Sequence, residues 1–255
     1  MRSLQHSWVR MVGVTAAAVL LSALASCAIS TAQEAPVSAE QYSALLADPV
    51  RTDRDRRMDE ARHPVELLQF AQVRPGMGVL DVASGAGYTS QLLALAVASS
   101  GKLWAQTPQP GAALNERLAA HPQAGLVLAQ RPFDDPVPPD AAPLDLVTLV
   151  LNYHDISYLP VDRDAMNRKI FAALKPGGCY VIVDHSALPG SGITAGKTLH
   201  RIEEAFVVAE VRRAGFVLDG EGAFMRNPGD TREGSSNQAT PPSDKFALRF
   251  LKPRS

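Results

Sequence analysis

The sequence is poor in cysteine, balanced in charge and almost free of long apolar runs. Cys27 and Cys179 are its only two cysteines in 255 residues. That is too few for the disulfide framework with which small secreted domains compensate for a weak core. The 25 basic and 26 acidic residues leave a formal charge of -1. Without clustered positive charge there is no electrostatic basis for holding a phosphate backbone, which excludes nucleic acid as an expected partner. Charged residues make up 20% and hydrophobic ones 46%, a balance that argues against disorder, collagen or coiled coil and for one globular domain. No internal repeat is visible. The longest apolar stretch, Met11 to Ala25, is about 15 residues, short of the roughly 20 a helix needs to cross a bilayer.

That stretch follows Arg2 and Arg10 with no acid before it, the layout of a signal peptide. No further Lys or Arg occurs until Arg51, so the charge asymmetry keeps the N-terminus inside and sends the rest outward. Leu24-Ala25-Ser26-Cys27 resembles the lipobox of bacterial lipoproteins, in which the cysteine is lipidated. Cleavage after Ser30-Thr31-Ala32, or an uncleaved anchor, are the competing readings. The expected organisation is a leader over 1–26, a linker with an N-terminal helical segment over 27–58, and a domain over 59–255. Without the leader, 23 basic residues face 26 acidic ones, a net of -3. The expected location is the periplasm, with membrane contact only through a lipid on Cys27.

Downstream, short apolar runs alternate with helical patterns. Strands are expected at Val79–Val82, Lys102–Gln106, Leu126–Ala129, Leu144–Leu151 and Cys179–Val183, and helices at Pro64–Ala71, Tyr88–Val97, Gly111–Ala120, Val161–Leu174 and Thr198–Ala214. Strands apolar on both faces and separated by helices predict a parallel sheet covered on both sides. Phe216–Leu218 and Lys245–Leu251 lack an intervening helix, which predicts an antiparallel hairpin at the sheet edge. In such sheets ligands bind beyond the carboxyl ends of the strands, where strand order reverses.

After the first strand comes Asp81-Val-Ala83-Ser-Gly85-Ala-Gly87-Tyr88. Glycines there let backbone approach a ligand and lead into a helix N-terminus that favours charged groups; alone, the same run is equally a tight connection. A dinucleotide fingerprint requires glycine where Ser90 stands and an acid where Gln106 stands, so a nicotinamide cofactor is disfavoured.

The run Val79-Leu-Asp-Val-Ala-Ser-Gly-Ala-Gly87, Leu144-Asp-Leu-Val147 and Leu174-Lys-Pro-Gly-Gly178 together resemble the class I S-adenosylmethionine-dependent methyltransferases over residues 60–252. Asp59-Glu-Ala-Arg-His-Pro64, Leu151-Asn-Tyr-His-Asp155, Asp162-Arg163 with Met166-Asn-Arg168, and Val183-Asp-His-Ser186 are similar to a bacterial group of exported predicted methyltransferases. The resemblance implies an α/β, Rossmann-like, seven-stranded, mostly parallel sheet with helices on both faces and an antiparallel last strand. It implies S-adenosylmethionine as cofactor and methyl transfer to a small-molecule acceptor. The rival function is a non-catalytic exported binding protein that retains the fold.

The resemblance sets Gly85, Gly87 and Tyr88 against the cofactor's amino-acid portion, with Asp81 holding the loop or the ammonium. Ala83 replaces the family's first glycine, so a slightly altered turn is expected. Gln106 takes the position of the acid that reads the ribose hydroxyls. Asp134 is the nearest match to an acid reading the adenine amino group, or else a solvated carboxylate beside Asp135. Asn152-Tyr153 partly matches the Asn-Pro-Pro-Tyr turn of amino-methylating enzymes. His154-Asp155 and Asp184-His185 follow the fourth and fifth strands. Either histidine is a candidate general base. Alternatively Asp155, Asp184 and His185 ligate a divalent ion, as acids after these strands do in catechol-type enzymes, or the pairs only join loops; no metal is required by the motifs. Arg57, Arg62 and His63 are candidates for substrate or the cofactor carboxylate, against a solvated helix face with internal ion pairs. His200-Arg201 falls where acceptor pockets often form, or else in an exposed first turn, and Cys179 is expected as core filler.

Overall fold

The computed structural model describes residues 36–141 and 143–254; the leader, Cys27 and the linker as far as residue 35 lie outside them. The described elements are α1 (Ala39–Leu45), α2 (Asp53–Arg62), α3 (Pro64–Ala71), β1 (Gly78–Val82), α4 (Tyr88–Val97), β2 (Lys102–Thr107), α5 (Ala112–Ala120), β3 (Leu126–Gln130), β4 (Leu144–Val150), α6 (Tyr153–Ser157), α7 (Arg163–Ala173), β5 (Leu174–His185), α8 (Gly196–Leu199), α9 (Glu204–Arg213), β6 (Val217–Gly222) and β7 (Lys245–Leu251).

The seven strands form one sheet in the order β3-β2-β1-β4-β5-β7-β6. The pairs from β3 to β5 are parallel, and β7 runs antiparallel to both β5 and β6. The last strand thus enters between β5 and β6, and the edge belongs to β6. Along β5, Tyr180 and Ile182 point to one face, Val181 and Val183 to the other. The period-2 alternation of a strand therefore feeds two separate cores. One packs α6, α7 and α9 through Tyr153, Met166, Ile170, Val207 and Val211; the other packs α1, α3 and α4 through Tyr42, Leu68, Leu92 and Val97. Burying each such side chain contributes roughly 1.5–3 kcal/mol, which accounts for the near-continuous apolar runs of the central strands.

One expectation is corrected. The helix expected over 198–214 is broken into α8 and α9, because Ile202 pairs with Ser186 in an isolated bridge and Arg201, fully buried, ion-pairs with Asp230 at 2.8 Å. The charge-dense lead-in is the helix α2, closed at its start by a reciprocal cap between Thr52 and Asp55. The expected boundary at 58/59 falls inside it, and the compact body extends from Pro36. Among the described residues no helix is long and apolar enough to cross a membrane.

Candidate functional site

Strand order runs outward from β1 to β3 on one side and from β4 on the other, so the reversal lies between β1 and β4. A cleft opens there, lined by Asp81 of β1 and Ala83–Ala86 after it, Val150 at the end of β4 with Leu151 and Asn152 after it, Tyr88 and Thr89 of α4, Arg117 of α5, and Arg54, Met58 and Arg62 of α2. Spacing explains the contribution of α2. Residues 54, 58 and 62 share one helical face, turned to the cleft, while Asp55 and Asp59 share another. Asp55 takes two bonds from the Arg117 guanidinium, at 2.9 and 2.7 Å. Asp59 accepts from Arg51 and, at 2.6 Å, from the Tyr88 hydroxyl. The acids of this charge run thus pair mainly with distant residues rather than along their own helix, and they hold α2 as a roof over the glycine loop. Arg57 is exposed, and His63 lies beside Glu66 and the ring of Phe224.

Ala83 adopts φ +57, Gly85 φ +55 and Gly87 φ +83. The turn expected to change at Ala83 keeps the left-handed backbone that glycine normally supplies, at a cost to alanine of roughly 1 kcal/mol. Two amide side chains pin it: Gln106 Oε1 accepts from the Ala83 N–H at 3.0 Å, and Asn152 Nδ2 donates to its carbonyl at 3.1 Å. Gln106 also donates to the Arg131 carbonyl at 2.6 Å and is completely buried. It stitches β2 to two neighbours instead of facing the cleft, which corrects the expected ribose contact. Asp134 is exposed outside the cleft, a correction to the adenine contact; Asp135 beside it pairs with Arg131 and Lys169.

Asp81 is buried at the end of β1. It accepts from Ser90 at 2.5 Å and from Thr148, its register partner in β4, at 2.7 Å. Burial pushes its carboxyl up to about 6, partly offset by these two donors and the Arg62 charge. Arg62 makes no ion pair among the described residues; it lies over the Tyr88 ring, 5.4 Å from its centroid, and burial lowers its pKa. Ser84 Oγ, in the loop between them, is buried without a hydrogen-bond partner. The glycine at the start of α4 has no side chain with which to cap the helix, leaving first-turn N–H groups to the cleft. An acid, a partner-free arginine, an unsatisfied hydroxyl and open helix donors form a set complementary to an α-amino acid zwitterion, the amino-acid end of S-adenosylmethionine. Sequence reasoning assigns no ligand contact to Ser84, Thr148, Arg54 or Met58, and takes Ser90 only as a break in the dinucleotide fingerprint.

Next to this cleft, α6 carries His154 and Asp155. Both oxygens of the fully buried Asp184 are occupied, one by the His154 N–H at 2.8 Å, the other by His154 Nδ1 at 2.6 Å and the His185 N–H at 2.7 Å. His185 Nδ1 lies 2.7 Å from Ser243 Oγ. Asp184 and His185 are therefore turned to partners of their own, which corrects their expected pairing with Asp155 around a metal. Burial opposes charge on His154, but Asp155 and Asp184 outweigh it and raise the group to about 9. Burial and the surrounding Lys245, His154, Arg201 and Arg62 push His185 down to about 3. Carboxylates on both sides thus favour the cationic form of His154, whereas burial among cations favours neutral His185. His200, at the end of α8, adds a third imidazole, 5.6 Å from that of His154 between ring centroids.

No family model and no curated protein sequence matches this chain. Solved structures do. One is a SAM-dependent methyltransferase from Aquifex aeolicus, at 17% identity over 84% of this chain and 98% of that one, TM-score 0.58. Another is a putative sarcosine dimethylglycine methyltransferase from Galdieria sulphuraria, at 14% identity over 81% and 91%, TM-score 0.57. A third is a putative methyltransferase from Bacillus halodurans, at 16% identity over 76% and 100%, TM-score 0.54. At these identities the likeness is one of fold: the chain has the Rossmann-like fold of class I methyltransferases, in which the cleft between β1 and β4 stands at the topological switch point.

Proposed function

We propose that this protein transfers a methyl group from S-adenosylmethionine to a small-molecule acceptor. The observation that carries the reading is that buried Asp81 and Arg62, free of ion pairs among the described residues, line the same glycine-loop cleft. Asp81 would take the ammonium of the amino-acid end; Arg62, the α4 N-terminus and Ser84 would take its carboxylate. When bound, the cofactor supplies an electrophilic methyl on a sulfonium, and the protein's task is to align the acceptor in line with it. Arg54, Met58 and Arg62 of the α2 roof would cover the bound cofactor. Asn152, just after β4, fixes the loop through the Ala83 carbonyl and lines the cleft.

Calorimetry of the full chain with S-adenosylmethionine tests this. One site per chain is expected, weakened at least tenfold by Asp81→Asn and by Arg62→Ala. Absence of heat at millimolar cofactor would sink the proposal. Binding without transfer to any acceptor in a screen with radiolabelled cofactor would favour the rival, a binding protein that retains the fold.

The same proposal carries export. The basic leader and lipobox direct the domain to the periplasm, tethered through a lipid on Cys27, where its cofactor must be delivered. In fractionated cells, Cys27→Ser should release the protein from the membrane; a cleaved variant that stays bound removes the lipid reading.

A further inference from the structure

We infer that His154, Asp155 and His200 form a binding site for a divalent first-row cation, with Zn²⁺ the ion that best fits the donors. One ligating atom of each residue lies within 4.8 Å of the other two. His154 Nε2 is 3.3 Å and His200 Nδ1 3.6 Å from the same oxygen, Asp155 Oδ1. A tetrahedral ion with bonds of about 2.0–2.1 Å has edges of roughly 3.3–3.4 Å between its ligands. Two edges of the triangle are therefore nearly in place, and the third, between the two ring nitrogens, is no longer than 4.8 Å. Two imidazoles and one carboxylate suit zinc and its neighbours better than Mg²⁺ or Ca²⁺, which prefer all-oxygen shells.

The surroundings do more than bring three side chains near one another. Asp184, fully buried, accepts from Nδ1 of His154 at 2.6 Å, which fixes the ring with Nε2 towards Asp155. This carboxylate–histidine contact is how proteins orient metal-binding imidazoles. Tyr158 donates to Asp155 Oδ1 at 2.9 Å. Gly196 lets α8 lie against α6: a Cβ there would stand 2.7 Å from Ser157 Oγ and 2.9 Å from the His154 carbonyl oxygen. His200 then ends α8 in a left-handed conformation, φ 52, as helix C-termini commonly do, which places its ring beside α6.

His154 is 4% exposed, whereas the side chains of Asp155 and His200 keep 37% and 35% of their surface. Three protein ligands with one open side is the pattern of a reactive rather than a structural zinc site. The ion would stand beside the loop whose Asn152 lines the cofactor cleft, where it can hold an oxygen of the acceptor. That role rests on the methyl-transfer proposal; the binding of the cation does not.

The test uses tag-free full-length protein, stripped with a chelator and titrated with Zn²⁺ against a chromophoric competitor, with Co²⁺ absorption reporting the coordination number. One Zn²⁺ per chain and four-coordinate Co²⁺ bands are expected. Asp184→Asn should weaken zinc roughly 10–100-fold, and His200→Ala or Asp155→Asn at least as much. S-adenosylmethionine calorimetry on His200→Ala, outside the cofactor cleft, reports whether the fold survives. Should that variant misfold, Asp155→Asn decides. Absence of stoichiometric zinc in the parent protein, or unchanged affinity in both ligand variants, overturns the inference. Zinc lost with cofactor binding intact is the result expected of the ligand variants. In the parent protein, cofactor binding without zinc defeats the metal site alone, and zinc without cofactor binding defeats the methyl-transfer proposal alone.

Discussion

Asp55 and Arg117, one on the roof helix and one on α5, meet in a two-point ion pair of 2.7 and 2.9 Å that is nearly closed to solvent. Arg117 also donates to the Ala86 carbonyl at 2.8 Å, so one guanidinium joins the roof to the glycine loop. Arg117→Met leaves the buried Asp55 carboxylate with its Thr52 donors but no counter-charge, at a cost of about 3–5 kcal/mol. Urea unfolding measures it; a loss under about 1 kcal/mol would show that the pair does not hold the roof.

The same pair sets an acid limit. Burial raises the Asp55 carboxyl, but Arg117 and Thr52 outweigh this and hold it at about 2, against an ordinary 3.8. A depressed folded value stabilises the protein above the unfolded value and loses that contribution as pH falls. About 2 kcal/mol should therefore disappear between roughly pH 4 and 2. Asp55→Asn should show a shallower decline across that window in chemical unfolding.

Asp81 has the opposite sign. Its folded value, about 6, is raised above the ordinary 3.8, so its contribution is full below the unfolded value and is lost as pH rises through 6. A cationic ammonium beside it reverses the preference by favouring the carboxylate. Cofactor affinity should accordingly rise between pH 5 and 7, approaching tenfold per unit below the transition, with protons released on binding. Calorimetry in buffers of different ionisation enthalpy detects that release. Equal affinity at pH 5 and 7.5 would remove Asp81 from the ammonium site.

Gln106→Glu restores the acid usual at the end of the second strand, yet should not improve binding. The new carboxylate would face the Arg131 carbonyl without a proton to donate and leave that acceptor unsatisfied, costing about 1–3 kcal/mol. Lower stability with unchanged or weaker cofactor affinity is expected from thermal unfolding and calorimetry. A gain in affinity would mean that the side chain reaches the ligand.

Ala83→Gly should raise stability by about 1 kcal/mol or less, because it relieves a left-handed alanine. Gly87→Ala should do the reverse: beyond its φ of +83, a Cβ would stand 2.9 Å from both Arg117 Cδ and Leu114 Cδ1. Melting temperatures of the two variants moving in the same direction would contradict this account.

The fold was legible because its signals are local and periodic. Val79 to Val82, Leu144 to Leu151 and Cys179 to Val183 carry their burial in their own composition, and Asp81, Gly85 and Gly87 sit where strand meets helix. The functions of Gln106 and Asp55 were not legible, since each is defined by partners such as Arg131 and Arg117, tens of residues away. His200 was obscured for a related reason. The apolar spacing through Leu199, Ile202 and Phe206 reads as one helix, whereas the Ser186–Ile202 bridge interrupts it and leaves the histidine at a helix end. A side chain's role in the site thus depended on tertiary contacts that override local pattern.

The roof comes from the first described part of the chain, while its anchors at Tyr88 and Arg117 belong to later elements. In synthesis α2 is made before either anchor, so it cannot be fastened over the cleft until residue 117 has been added. A sheet assembled from the third helix onward would lack its ceiling and be open to water. Any trimmed version meant to retain ligand binding must therefore begin well ahead of the first strand.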